Sequence, residues 1–359
     1  MRICFLVSSG YGMREDARAV LNLAAELAAR HQVEIISVKR VRETPFFPVH
    51  PDVTMRYLVD ARPGVRHLLP RGQVRTEVAL WRALRALRCD VLVTTRPTLG
   101  VQAARHAPRG ITRIAREWSR PTAPSPVKRA YPHLDAVVTA TEGVRQEWAR
   151  LLDDDLSVHT IPDALPAEPW PRSRLDNRIV STGGRWVPME AYELLIRAFA
   201  IVADKRPDWR LRLYGGGPGE KRLRALVADL NLHNHVYFMG ATPDLAGEFA
   251  KASIVAVASR AEAMGMTALE ALACGVPVVG FAGPRGPAEL LRPGRDSVLV
   301  PAGDGGVEEY AAALLGLIDD DARRRRLGAG ARRTAAAHAA PVVAAQWEEL
   351  MYGLRARGL

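Results

Sequence analysis

The sequence predicts a doubly wound α/β chain with two parallel-sheet domains facing across a cleft. Short apolar runs alternate with amphipathic helical stretches through both halves of the 359 residues. The first half opens with such a run and then a glycine turn, Ser8–Gly12, and the second half opens with Arg178–Arg185. Between the halves, residues 167–177 are polar, proline-rich and aperiodic, the signature of a linker. The expected organisation is therefore a first domain over 1–166, a linker over 167–177 and a second domain over 178–340, with a terminal helix over 341–359 that can cross back to the first domain.

In the first half, Arg2–Val7 reads as a strand, followed by a helix over Asp16–Arg30 that turns Val20, Leu21, Leu23 and Leu27 inward. Val33–Val38 is the second strand and Pro45–Pro51 an irregular loop. Val74–Leu87 is helical, Asp90–Thr95 is a strand stopped by Pro97, and Ile111–Arg116 is a strand ending at Glu117-Trp118. Pro121–Pro126 reads as loop, Asp135–Thr139 as strand, Thr141-Glu142 as a helix cap and Ser157–Ile161 as the last strand. In the second half, strands are expected at Arg178–Arg185, Trp209–Tyr214, Val236–Gly240, Ile254–Ala258, Val276–Gly280 and Ser297–Pro301. Helices are expected at Glu190–Lys205, Glu220–Leu230, Asp244–Lys251 and Ala288–Leu291, and from Val307 onward.

The charge is +11, carried mostly by arginine. Such a balance attracts anions, although a biased genome composition produces the same excess without function. No nucleic-acid motif accompanies it, so nucleic acid is not the expected partner. Cys4, Cys89 and Cys274 sit in apolar contexts and read as reduced thiols. No apolar run approaches a membrane span. The expected location is the cytoplasm, with peripheral attachment at the inner membrane face as an option.

The chemistry centres on Ser259–Pro277. A buried strand runs into a loop carrying Glu262 and Gly265, then into a helix with Glu270 one turn in. Amides at the helix start, near Met266 and Thr267, can bind a diphosphate. Glu270 can accept two ribose hydroxyls, and Glu262 can hold hydroxyls of a sugar. The bland alternative makes Glu262 a solvated loop residue and Glu270 a surface helix residue.

The second half resembles the family 4 glycosyltransferases. The resemblance rests on Gly184-Arg185, Tyr214–Pro218, Val236–Gly240, Ser259–Glu262 with Glu270 eight positions on, Gly275–Val279 and Gly283–Gly286, in that order. The first half matches more loosely, through Ala140–Glu142 and Ile161-Pro162. The resemblance implies the GT-B fold, two Rossmann-like domains with the donor held mainly by the second. It implies a retaining transferase that uses a nucleotide-diphosphate sugar as donor substrate, with no cofactor and no metal. By that resemblance Arg185 and Glu262 would serve catalysis. Gly184, Glu190, Met264, Gly265, Met266, Thr267 and Glu270 would contact the donor, Met239 and Gly240 would lie near the base, and Gly12 would approach donor or acceptor.

Four positions depart from the family pattern. Glu190 stands where a lysine is usual, Glu262-Ala-Met-Gly265 replaces Glu-Gly-Phe-Gly, Arg14-Glu15 occupy the region of a Gly-Gly turn, and Trp118 stands where a histidine often ends a strand. The preferred function is sugar transfer to an envelope, lipid or natural-product acceptor. The alternative is a degenerate relative that binds a sugar nucleotide or a partner enzyme without catalysis. Asp153–Asp155 and Asp319–Asp321 match the DxD pattern of metal-dependent transferases but read as solvated turns, and His233/His235 as a surface turn.

Overall fold

The protein is described from a computed structural model covering residues 1–65, 73–152, 156–259, 265–283, 287–301 and 306–357. The chain divides into two compact units, Met1–Ala167 joined by Ala339–Leu359, and Glu168–His338. Residues 168–177, expected as linker, belong to the second unit: Ser173 donates to the Ala252 carbonyl at 2.6 Å and the Asn177 amide to that of Lys251 at 2.9 Å.

The first unit is built on a parallel sheet of β1 (Arg2–Val7), β2 (Gln32–Arg40), β3 (Val53–Asp60), β4 (Val91–Thr94), β5 (Thr112–Glu117), β6 (Ala136–Thr139) and β7 (Val158–Thr160), in spatial order β3-β2-β1-β4-β5-β6-β7. Strands β1, β4 and β6 are largely apolar because both faces of the sheet are covered by helices, while β5 carries Arg113, Arg116 and Glu117. These are α1 (Glu15–Ala28), α2 (Gln73–Arg85), α3 (Pro97–His106), α4 (Pro124–Ala130) and α5 (Glu142–Leu152). Val20, Leu21, Leu23 and Leu27 of α1 are buried, and the Val144 amide donates to the Thr141 hydroxyl at 3.4 Å, capping α5.

Three elements of this unit were not expected. β3 is an edge strand whose Thr54, Arg56 and Tyr57 face solvent, so it lacks the apolar run of a central strand. Pro97 stops β4 but also starts α3, and Pro124 starts α4 inside the expected loop. Proline is suited to a first helical turn, where its missing N–H costs nothing and its φ is preset.

The second unit has a parallel sheet of β8 (Ile179–Arg185), β9 (Arg210–Gly216), β10 (Val236–Gly240), β11 (Ile254–Val257), β12 (Val278–Phe281) and β13 (Ser297–Val300). The spatial order is β10-β9-β8-β11-β12-β13. Order reverses between β8 and β11, the switch point outside which ligands bind in such sheets. The helices are α6 (Tyr192–Lys205), α7 (Glu220–Asp229), α8 (Leu245–Phe249), α9 (Met266–Ala273), α10 (Pro287–Leu290), α11 (Gly306–Ile318) and α12 (Asp321–Ala336). Glu190, expected as the first residue of α6, instead ends a 3-10 turn over Pro188–Glu190, and Ala191 at φ +49° re-aims the chain into the helix. The chain then returns to the first unit as α13 (Ala340–Arg357), which packs on α1 through buried Val343, Trp347 and Met351.

Candidate functional site

The site is assembled at the carboxyl ends of β8 and β11. α9 follows β11, and its Thr267 hydroxyl donates to the Gly183 carbonyl on β8 at 3.3 Å. That bond ties the front of α9 to the strand end carrying Gly184 and Arg185. The first helical hydrogen bond runs from Leu269 N to Gly265 O at 3.0 Å, so the amides of Thr267 and Ala268 lie ahead of it. Gly265 is the N-cap at φ +83°, a conformation costly for any residue with a Cβ. Met266 is buried.

Glu270 lies one turn into α9 and is 1% exposed. The bland surface reading is thereby overturned: this face of α9 packs into the unit. A carboxylate this deep needs partners for its charge. At the far end of the same helix the Cys274 thiol is pushed up to about 12, chiefly by burial and then by the charges of Glu270 and Asp244. Cys274 is buried, its thiol donating to the Ala246 carbonyl at 3.2 Å.

Glycines make the strand ends close enough to share. Gly184 pairs with Gly215 across β8 and β9. A Cβ on Gly184 would lie 2.8 Å from the Tyr192 hydroxyl and 3.5 Å from Glu190 Oε2. Half-buried Glu190 therefore brings a negative charge to the end of β8, beside the resemblance-based diphosphate position. Arg185, the next residue, is exposed, and its side chain makes no hydrogen bond or ion pair among the described residues. Met239 is 46% exposed at the end of β10, where the register with β9 slips between Phe238 and Gly240. Glu262 and Met264 lie outside the described residues, as do Pro284–Gly286 and Asp153–Asp155.

In the first unit, Gly12 lies in the turn after β1, where Gly10 N donates to Ser37 Oγ at 3.0 Å. Trp118 follows β5, and its indole is bonded to Asp163. Two pairings escaped sequence reasoning. Arg116 and Asp163 form a buried ion pair, and Tyr131 donates to Glu117 Oε1 at 2.5 Å. Burial pushes the Glu117 carboxyl well above its usual range. The partners are 47 and 14 residues apart, and no local pattern announces such a pairing. Among the decoys, Asp320 caps α12 by accepting from Arg323 N at 2.8 Å, Asp319 pairs with Arg206 and Asp321 with Arg324 and Arg325.

Two parallel sheets in one chain, each with its order reversing at its first strand, are the sheets the GT-B fold has. Comparison with known proteins agrees. Residues 170–334 match the family of glycosyl transferases group 1. An exopolysaccharide phosphotransferase of Streptomyces coelicolor is 36% identical over 99% of this chain, and the chain spans 41% of that relative's length. A GDP-mannose-dependent phosphatidylinositol monomannoside mannosyltransferase of Mycolicibacterium smegmatis is 29% identical over 52% of this chain and 54% of its own. The sucrose-phosphate synthase structure from Thermosynechococcus elongatus superposes with a TM-score of 0.82 at 22% identity, over 99% of this chain and 100% of that one. Anabaena HepE, solved in complex with UDP, superposes with a TM-score of 0.76 at 18% identity, over 98% and 100% of the two chains. The chain has the GT-B fold, and its second unit belongs to the group 1 glycosyltransferases, the family 4 type.

Proposed function

We propose that the protein transfers a sugar from a nucleotide-diphosphate sugar to an envelope, lipid or natural-product acceptor, with retention of configuration and without a metal. The observation that carries this reading is the Thr267–Gly183 bond, which joins the front of α9 to the end of β8 at the switch point. The first-turn amides and Arg185 then face the donor diphosphate, and Glu270 takes the ribose hydroxyls. The bond from the anomeric carbon to the diphosphate oxygen breaks as the acceptor oxygen adds on the same face, and the acceptor proton passes to the departing phosphate. Stabilising that phosphate is the protein's main task, served by amide dipoles and Arg185. UDP bound to HepE supports a nucleotide donor. No helix among the described residues is long and apolar enough to cross a membrane, and we place the reaction at the cytoplasmic side.

One observation favours a second reading. The Glu190 carboxylate beside Gly184 opposes the extra negative charge that develops on a departing diphosphate, as expected of a relative that binds without turning over. Incubation with UDP-, GDP- and dTDP-sugars plus cell-envelope acceptor fractions separates the two. Acceptor-dependent release of one nucleotide supports transfer. Binding without release supports the second reading, and neither binding nor release sinks both.

A further inference from the structure

The outer face of α12 in the second unit is an arginine surface. Arg324 is buried and donates to the Leu317 and Ile318 carbonyls at 2.6 and 2.7 Å, which fixes the helix to the end of α11. Leu327, Gly328, Ala331 and Ala335 pack inward. The outward side carries two rows at i, i+7 spacing, Arg325 with Arg332 and Arg326 with Arg333. Between the rows runs a line of alanines, Ala322, Ala329 and Ala336. All four arginines are exposed.

Neighbouring segments widen both rows. The Arg325 guanidinium donates to the Arg174 carbonyl at 3.1 Å, which sets exposed Arg174 beside the first row. Gly330 packs against the Arg295 backbone, which sets exposed Arg295 beside the second. Of these six arginines only Arg325 forms an ion pair among the described residues, with Asp321, the single acid within α12. Arg325 and Arg326 also lie in the first half of the helix, where the macrodipole disfavours cations. Helix stability and packing therefore give no reason for this surface, whereas an anionic ligand does.

We propose that this face of α12 holds a linear acidic polysaccharide, its sugar rings over the alanine line and its acidic groups taken by the arginines on either side. Seven residues of helix span about 10 Å, close to the length of two linked sugars. One acidic group per disaccharide thus meets successive arginines along a row. Clustered arginines suit such polymers, and the guanidinium fork matches a carboxylate. Other anionic partners fit less well. The face of α12 exposes no aromatic ring to stack a base, no large apolar side chain to enter a bilayer and no aromatic anchor for a protein interface. The role that follows, keeping an acidic acceptor chain attached between transfers, rests on the sugar-transfer reading; the binding itself does not.

Binding of fluorescently labelled hyaluronan, which carries one carboxylate per disaccharide, tests it on the full chain with no donor present. Neutral dextran and double-stranded DNA serve as comparisons. The expected result is saturable binding of hyaluronan, weakened by salt, and none of dextran. R326Q/R332Q/R333Q should weaken it by about tenfold or more. R105Q/R109Q/R120Q, an equal loss of charge at exposed arginines of the first unit, should leave it unchanged. Both variants should keep the wild-type melting temperature and affinity for sugar nucleotides. A329E, which sets an acid between the rows, should also weaken binding and decides the outcome should the α12 triple variant misfold. The proposal is overturned by no binding of hyaluronan, or by a folded α12 variant that binds like the wild type. It is also overturned by equal loss in the two triple variants, which would make net charge the cause, or by DNA binding more tightly than hyaluronan. With no donor in the assay, these failures stand apart from any failure of sugar transfer.

Discussion

Trp118 donates its indole N–H to Asp163 Oδ2 at 2.8 Å, and Asp163 Oδ1 accepts from the Arg116 guanidinium at 2.5 Å. Arg116 also donates to the Ile161 carbonyl at 2.6 Å and lies 5.1 Å from the Trp118 ring centroid. The indole, at the position where the family resemblance led us to expect a histidine, is thus committed to a buried ion pair, which leaves it no N–H for an acceptor. Asp163→Ala should destabilise the protein by about 3–5 kcal/mol, because it strands a buried guanidinium. Trp118→Phe should cost about 1 kcal/mol, since Asp163 keeps its main partner. Thermal unfolding checks both, and equal costs would mean that the indole, not Arg116, holds the carboxylate.

The Arg185 side chain offers the opposite profile, being exposed and unengaged among the described residues. Arg185→Ala should leave stability within about 0.5 kcal/mol. It should lower kcat/KM for sugar transfer by about 100-fold, the scale of losing one charge stabiliser at the departing group. Steady-state kinetics beside a melting curve separate the two effects. An unchanged kcat/KM would remove Arg185 from the site.

Glu190→Lys should tighten donor binding by about 1–4 kcal/mol, replacing repulsion of the diphosphate with attraction at close range. Calorimetry with the preferred donor reads this directly. Weaker binding would mean that Glu190 serves the donor as it stands.

Glu117 gives a pH signature. Burial pushes its carboxyl well above the ordinary range, while the hydrogen bond from Tyr131 and the charge of Arg116 pull the other way. The folded state therefore binds more protons than the unfolded state above the usual glutamate pKa of about 4.3, and this contribution to stability falls as pH rises through that window. Glu117→Gln, always neutral, should raise the melting temperature relative to wild type more at pH 8 than at pH 5. A difference that stays flat with pH would contradict the buried neutral carboxyl.

Much of this was legible in the chain because burial on both faces leaves a plain mark. Val91–Thr94 and Ile254–Val257 are buried at every residue and read as strands without alternation. β3 left no such mark, since an edge strand keeps only part of one face from water. α3 and α4 were hidden by their own first prolines. In the site, the strand–loop–helix order placed Gly265, Thr267 and Glu270 together, because such spacing is local, whereas Gly184 came only through the family resemblance. The depth of Glu270, the Thr267–Gly183 bond and the Arg116–Asp163 pair depend on contacts between distant segments, which periodicity does not encode.

The central claim is that the front of α9, with Glu270 one turn behind it, holds a sugar nucleotide. Calorimetric titration of wild type and Glu270→Ala with UDP-, GDP- and dTDP-sugars tests it most directly. The account predicts saturable binding of one donor by the wild type, weakened by about 1–3 kcal/mol in a Glu270→Ala protein that remains folded, the cost of losing charged hydrogen bonds. An identical dissociation constant in the two proteins would contradict it.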